Sequence, residues 1–446
     1  MTAPRRPPTA RAIAAQVLLR TAKEGAFAAA ALDAEMERAP QLSPRDRALA
    51  TELVYGTLRF LPWIDERIGA RSTRPVARID PLSRAHIELA AYQIFFLTRV
   101  PAFAAVNEAV TEVRAARGRE VGAFVNAVLR RLADDASRSA VDPVEAAWVS
   151  TPAWLRTALA RSFGDDGARA YVADAARVPP IGIRVLDAEE RDAWIARLRE
   201  AAKEASFEAG AASPLAILVR GAGRVTDLPG YAEGAWSIQE EGSQLVALAL
   251  GARPGEVVLD ACAGRGNKAA VLAAAVQPGG ALDVADLHAS KLERLAIELG
   301  RAGLAVRASH AVDWSIGTGG IDAVYDAVLV DAPCTGTGTL RRRPDLVLRR
   351  DEAGVSALAD LQVAIAARVA ERLRPGGRLV FATCSALREE GEDVTARLVA
   401  RVPWLEPAPF AGEPAARLAG GLSELRLSPH IHGTDAYFLA SFRRKE

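Results

Sequence analysis

After Trp236 the chain alternates between two hydrophobic rhythms. Short apolar runs, EVVLDAC, ALDVADL, LAVRASHAVD, YDAVLVDAPC and GRLVFATCS, are separated in places by stretches in which apolar residues return every three or four positions, at 268–276, 289–302 and 351–373. Strands of this kind bury both faces and need helix-length crossovers between them, so the pattern predicts an α/β domain built on a parallel sheet with helices on both sides. Such sheets take ligands beyond the carboxyl ends of their strands, near the switch in strand order. What each run ends with therefore matters. The first three close on Asp260, Asp286 and Asp313, the fourth on Asp331-Ala332-Pro333-Cys334, and the fifth on Thr383-Cys384-Ser385. All three cysteines of the chain, Cys262, Cys334 and Cys384, stand at or just past such an end.

Upstream the rhythm is different. From Ala10 to about Leu132 every segment is helical in period, including ARAIAAQVLLRTAKEG, SPRDRALATELVYGTLRFLPWIDERIG, SRAHIELAAYQIFFLTRVP, AAVNEAVTEVRAARG and VGAFVNAVLRRLAD, with helix starts at Ser43-Pro44 and Asp80-Pro81. Between 141 and 235 one helical stretch, TPAWLRTALARSFG, is followed by the β-branched runs PPIGIRVL, LAILVRG and VTDLPGY. The expected division is an all-α bundle at 1–140, a small α+β connector at 141–235 and the α/β domain at 236–446.

Composition narrows the chemistry. Three cysteines and five histidines in 446 residues fit neither a disulfide framework nor a zinc-ligand spacing, so no metal is expected. No apolar run reaches the roughly 18 to 20 residues of a membrane span, and MTAPRRPPTARAIAAQ lacks the apolar core of a secretory leader, so a cytoplasmic protein without membrane contact is expected. Residues 1–140 carry 21 Lys plus Arg against 15 Asp plus Glu, and all of those cations but Lys23 are arginine. The planar guanidinium suits phosphate, which points to nucleic acid, although an arginine-favouring codon usage gives the same bias.

In DACAGRGNK a buried strand enters a turn holding Gly264 and Gly266 before a helix begins near Lys268. Glycines there let a ligand approach the backbone, and the helix start offers unpaired N–H groups. The spacing is neither the dinucleotide fingerprint nor a P-loop, which disfavours hydride and phosphoryl transfer. Asp286 is placed for a ribose diol and Asp313 for an adenine amino group. Cys334 and Cys384 then share a crevice with a nucleoside, either as small apolar residues or as a nucleophile whose thiol needs activation.

These motifs carry a resemblance. QEEGSQLVA, DACAGRGNK, DAPCTGTGTLRRRPDL, LRPGGRLVFATCS and HGTDAYF resemble, in order and approximate spacing, the RNA (cytosine-5) methyltransferases of the RsmB/Sun family. RDRALATELVYGTLR, AAYQIFFLTRVPAFAAVNEAV and FVNAVLRRL resemble the NusB-like RNA-binding domain that precedes the catalytic domain in that family. The resemblance implies a Rossmann-like, S-adenosylmethionine-dependent sheet, with Cys384 as the nucleophile toward carbon 6 of cytosine. Asp331 would activate the base and Cys334 would assist product release. The cofactor would lie against Cys262, Ala263, Gly264, Arg265, Gly266, Asn267, Lys268, Asp286, Asp313 and Asp331. A cytosine of small-subunit rRNA is the implied substrate. A tRNA cytosine, or an antitermination-type RNA-binding factor without turnover, are the alternatives. The family loop usually reads Ala-Pro-Gly-Gly-Lys where this chain has Gly264-Arg265-Gly266-Asn267-Lys268, and Glu-Asn where it has Glu390-Gly391. RNA contacts are expected from Arg45, Arg47, Arg59, Arg341, Arg342 and Arg343, beside Arg349 and Arg350, with Trp63, Trp236 and Trp314 as candidate base-stacking rings. A monomer is expected.

Overall fold

The structure, a computed structural model, describes residues 9–446, so the first eight residues of the N-terminal stretch lie outside it. The chain forms two compact units. One holds the chain up to Arg156 with Val172–Val178 and Leu340–Arg349; the other holds Thr157–Tyr171, Pro179–Thr339 and Arg350–Glu446.

The first unit is helical. Its main helices run Ala10–Glu24, Ala28–Glu37, Pro44–Arg59, Leu61–Arg71, Pro81–Phe96, Ala102–Arg117, Arg119–Arg138 and Pro143–Ser150. Ser43 and Asp80 act as expected, their side chains accepting the backbone N–H of Asp46 and Ser83 to satisfy otherwise orphaned donors. The run expected as one helix over 43–69 breaks at Phe60, because Pro62 has no N–H and fits only the first turn of a new helix. Ala28–Glu37 lies within the span expected to be helical, although its AAAALDAEME sequence offers little apolar contrast. Leu53, Ile64, Ile68, Ile87 and Leu129 fill the core.

The second unit contains two sheets. The smaller consists of β1 (Ile181–Val185), β2 (Ser206–Ala209), β3 (Ala216–Arg220) and β4 (Trp236–Ile238) in the order β2-β3-β1-β4, with antiparallel pairing throughout. VTDLPGY, expected as extended, instead opens with a 3-10 turn at Val225–Asp227. Ile183, Val185, Leu198, Phe207 and Trp236 share a core with Ala247 and Val271 from the helices Glu241–Ala249 and Asn267–Ala275. The small sheet thus shares its core with the larger one, and β4 falls just past the boundary expected at 235.

The larger sheet comprises β5 (Val257–Asp260), β6 (Ala281–Asp286), β7 (Ala308–Ala311), β8 (Tyr325–Asp331), β9 (Leu373–Thr383), β10 (Leu405–Pro407), β11 (Glu424–Leu427) and β12 (Tyr437–Arg444). Its order is β10-β12-β9-β8-β5-β6-β7, with β11 also paired to β12. The five foreseen strands pair in parallel, whereas β12 joins β9 antiparallel. Helices Asn267–Ala275 and Ala289–Arg301 cover one face, and Glu352–Ala370 and Glu392–Arg401 the other. This is the α/β architecture expected from the sequence. Glu352–Ala370 corrects one expectation, since by length and composition it is apolar enough to cross a membrane. Here Val355, Ala359, Val363 and Ala366 are buried on that side of the unit. Strand order switches between β5 and β8, so the loops after these strands border one crevice.

Candidate active site

The loop after β5 is shaped by its glycines. Gly264 and Gly266 take φ of 57° and 92°, which an L side chain rarely adopts. A Cβ on Gly266 would come within 2.7 Å of Leu295, while at Gly264 it would meet nothing within 4 Å, so the Gly264 backbone is open to a ligand. Arg265 and Asn267 are exposed, Ala263 is buried, and Asn267 opens the next helix. The Cys262 thiol is pushed well up by burial and by the charges of Asp260, Asp331 and Asp286, which suits a packing role.

Asp286 at the end of β6 accepts from Gly264 N–H (3.0 Å) and His288 N–H (2.9 Å) and pairs with Lys291 (3.2 Å), leaving acceptor capacity on Oδ2. Asp313 lies two residues past β7, and its Oδ1 accepts from the backbone N–H and hydroxyl of Ser315, which lowers its pKa. Asp260 was seen in the sequence only as a strand end. Both its carboxylate oxygens are buried with no hydrogen-bond partner, and burial, then Asp331, push its pKa up to about 7. An orphaned carboxyl beneath an open glycine loop fits a bound ligand that brings its own donor or positive charge.

Across the switch point Lys268 Nζ donates to Asp331 Oδ2 at 2.7 Å. Burial works against the ammonium, but Asp331 outweighs it and the Lys268 pKa is raised. Beyond Asp331, Cys334 Sγ lies 3.2 Å from Cys384 Sγ. Two residues 50 positions apart in the chain therefore form a thiol pair. The Cys334 thiol is pushed well up, first by its hydrogen bond with Cys384, then by burial and by the charges of Cys384, Glu390 and Asp331.

The loop carrying Cys334 is tightly held. Glu390, fully buried, accepts from Thr335 N–H (2.8 Å), from the Thr335 hydroxyl and from Gln362 Nε2 (3.0 Å), and Gln362 also donates to Pro333 O (2.9 Å). Gly338 N–H donates to Cys384 O and Gly338 O accepts from Ala436 N–H, so close that a Cβ there would sit 2.0 Å from Ala436 O. None of these supports was assigned a role from sequence. Glu390 stood in a quoted motif, but nothing in its neighbours pointed to Thr335, 55 residues away.

The expected RNA contacts are placed unevenly. Arg45 is exposed. Arg47 instead donates to the carbonyls of Leu42, Ala39 and Pro40, and Arg59 to that of Arg341, so both guanidinium groups brace the helical unit from inside. Arg341, Arg342 and Arg343 belong to that same helical unit; Arg341 is buried and Arg343 is exposed, lying over Phe27. Arg349 donates to Gly25 O and Ala26 O, and Arg350 to Thr335 O. The three candidate stacking tryptophans are corrected. Trp63, Trp236 and Trp314 are all buried, and the indole N–H of Trp236 and Trp314 donate to Pro229 O and Ala261 O.

Residues 247–443 match the family described as 16S rRNA methyltransferase RsmB/F, and residues 8–134 match the NusB family. A probable ribosomal RNA small subunit methyltransferase B from Synechocystis is 30% identical, covering 98% of this chain and 99% of its own length. Its namesake from Bacillus subtilis is 31% identical over 98% of each chain. Among solved structures, PH0851 superposes with a TM-score of 0.81 over 98% of this chain and 99% of its own, at 22% identity, a likeness of fold. The chain belongs to the family of 16S rRNA methyltransferases RsmB/F.

Proposed function

We propose that this protein methylates carbon 5 of a cytosine in small-subunit rRNA, with S-adenosylmethionine as donor and a transient Cys384–cytosine bond. The observation that carries the reading is the 3.2 Å thiol pair beside the Asp331–Lys268 pair at the carboxyl edge of the sheet. Asp260, Gly264 to Lys268, Asp286 and Asp313 would hold the cofactor, which supplies an electrophilic methyl group when bound.

Carbon 5 of cytosine is a weak nucleophile until a thiolate adds to carbon 6. Cys384 makes that bond, and the electron pair of the 5,6 double bond moves into the ring toward nitrogen 3. Asp331, fixed by Lys268, accepts from the exocyclic amino group on that edge and holds the base in place, while the Lys268 ammonium beside it offsets the changing charge. After methyl transfer, the carbon-5 proton passes to ionised Cys334, the double bond re-forms and Cys384 leaves as thiolate. The NusB-like unit would present the RNA, whose target base is reached most cheaply in an unpaired segment. Three free cysteines are in keeping with work in the reducing cytoplasm.

The test is to incubate the protein and labelled cofactor with deproteinised 16S rRNA, small subunits and tRNA, then map 5-methylcytosine by mass spectrometry. One modified 16S cytosine is expected. Label in tRNA alone, or in no RNA, would contradict the proposal.

A further inference from the structure

Two sulfurs in contact raise a question of assignment: what makes one the nucleophile and the other its helper? Glu390 stands out here. It is fully buried, and among the described residues no cation pairs with it. Its partners are a backbone N–H, a hydroxyl and an amide, which a neutral glutamine at that position would also satisfy in part. Burying a carboxyl group with no cation beside it is costly, so its presence there calls for explanation.

Its geometry supplies one. Glu390 and Gln362 grip Thr335 and Pro333, the residues on either side of Cys334. Thr383 Oγ1 donates to Glu390 O at 3.0 Å, tying the same glutamate to the end of β9, one residue before Cys384. The Glu390 carboxylate thus holds the loop of Cys334, while the backbone carbonyl of the same residue holds the strand end before Cys384.

Resting on the function proposed above, we infer that Glu390 is the positioning residue that divides labour between the thiols, holding Cys334 against Cys384 as the proton-bearing partner and leaving Cys384 to attack. The charged and titratable groups around Cys334 are Cys384 and Glu390 from the segment after β9, Asp331 from its own strand, Lys268 through Asp331, and Arg350, which donates to Thr335 O beside it. The negative members keep the proton on Cys334. Once the Cys384 sulfur is bonded to carbon 6 its charge is gone, and with it the largest influence holding that proton. Cys334 then releases its proton to solvent and is ready to accept the one from carbon 5.

The decisive experiment follows Cys334 alkylation by iodoacetamide against pH in a Cys384→Ser chain, read by peptide mass spectrometry. Adding Glu390→Gln should lower the midpoint by about one pH unit, or raise the alkylation rate near neutrality about tenfold. With Cys384 present, Glu390→Gln should lower kcat about tenfold with KM for RNA unchanged, and 5-fluorocytidine RNA should be trapped on Cys334 as well as Cys384. Gln362→Leu, which strips a donor from the carboxylate and keeps its charge, should move the midpoint upward, and it serves if the glutamine variant fails to fold. An unmoved midpoint in the variants obtained folded overturns the inference. Alkylation needs neither RNA nor cofactor, so shifted midpoints in a protein that never methylates RNA would sink the proposed function alone.

Discussion

Replacing Asp260 with asparagine should change how stability depends on pH, in a direction opposite to that of most carboxylates. The wild-type carboxyl is buried without a partner, and its pKa is pushed up to about 7 from an ordinary value of 3.8. Below pH 4 folded and unfolded chains both hold the proton. Between about 4 and about 7 the unfolded chain releases it while the folded one keeps it, so folding loses roughly 1.4 kcal/mol per pH unit. Above 7 both are ionised and the difference levels off, after a total on the order of 4 kcal/mol. Asparagine leaves an unpaired amide at a fixed cost of about 1–3 kcal/mol, an offset that does not vary with pH. The wild-type advantage over Asp260→Asn should therefore shrink as pH rises from 5 to 7 and flatten by 8. Urea unfolding, followed by hydrogen exchange in peptides covering β5 and β8, reports on this sheet without the helical unit. A pH-independent difference would refute the reasoning, and a wild-type advantage that grew with pH would reverse it.

Gly338→Ala puts a Cβ 2.0 Å from Ala436 O and 2.8 Å from Cys384 O. It should cost about 1–3 kcal/mol of stability by thermal melting and about 100-fold in kcat through misplacement of the thiol. Lys268→Met strands Asp331 beside Asp260. It should destabilise the catalytic unit by about 3 kcal/mol at neutral pH, the low end for a broken buried pair because Asp331 is 24% exposed, and partial recovery at pH 5 should show in the same melts. Cys334→Ala should accumulate a covalent complex with natural, unmodified RNA, seen as a shifted band on a denaturing gel; a clean, adduct-free product from that variant would remove its assigned role.

Strands β5, β6, β8 and β9 were legible because each is largely buried and so reads as an apolar run ending in a turn, while the edge strand β7, with no fully buried residue, was found by its place in the alternation. The antiparallel edge was not: β12 is apolar too, but its place between β9 and β10 depends on pairing with distant strands, as at Phe438 opposite Thr383. The placement of the candidate site was legible wherever a polar or thiol side chain sits at a strand end, as with Asp331, Cys334 and Cys384. Its supports were not, because a hydrogen bond such as Glu390 to Thr335 has no periodicity to betray it. Arginine shows the same limit. Charge marked Arg47 and Arg59 as RNA contacts, yet Arg47 donates to nearby carbonyls such as that of Ala39, and Arg59 to that of Arg341, 282 positions away. The small sheet was partly read, through β1 and β3, and its shared core with Ala247 and Val271 came only from the structure.

RNA carrying 5-fluorocytidine tests the central claim most directly, since fluorine on carbon 5 cannot depart as the proton does and the covalent intermediate is arrested. Incubated with the protein and cofactor, then digested, it should yield a peptide–nucleotide conjugate on Cys384, absent from Cys384→Ala. A wild-type protein that binds this RNA yet yields no conjugate, or yields it only on Cys334, would contradict the account.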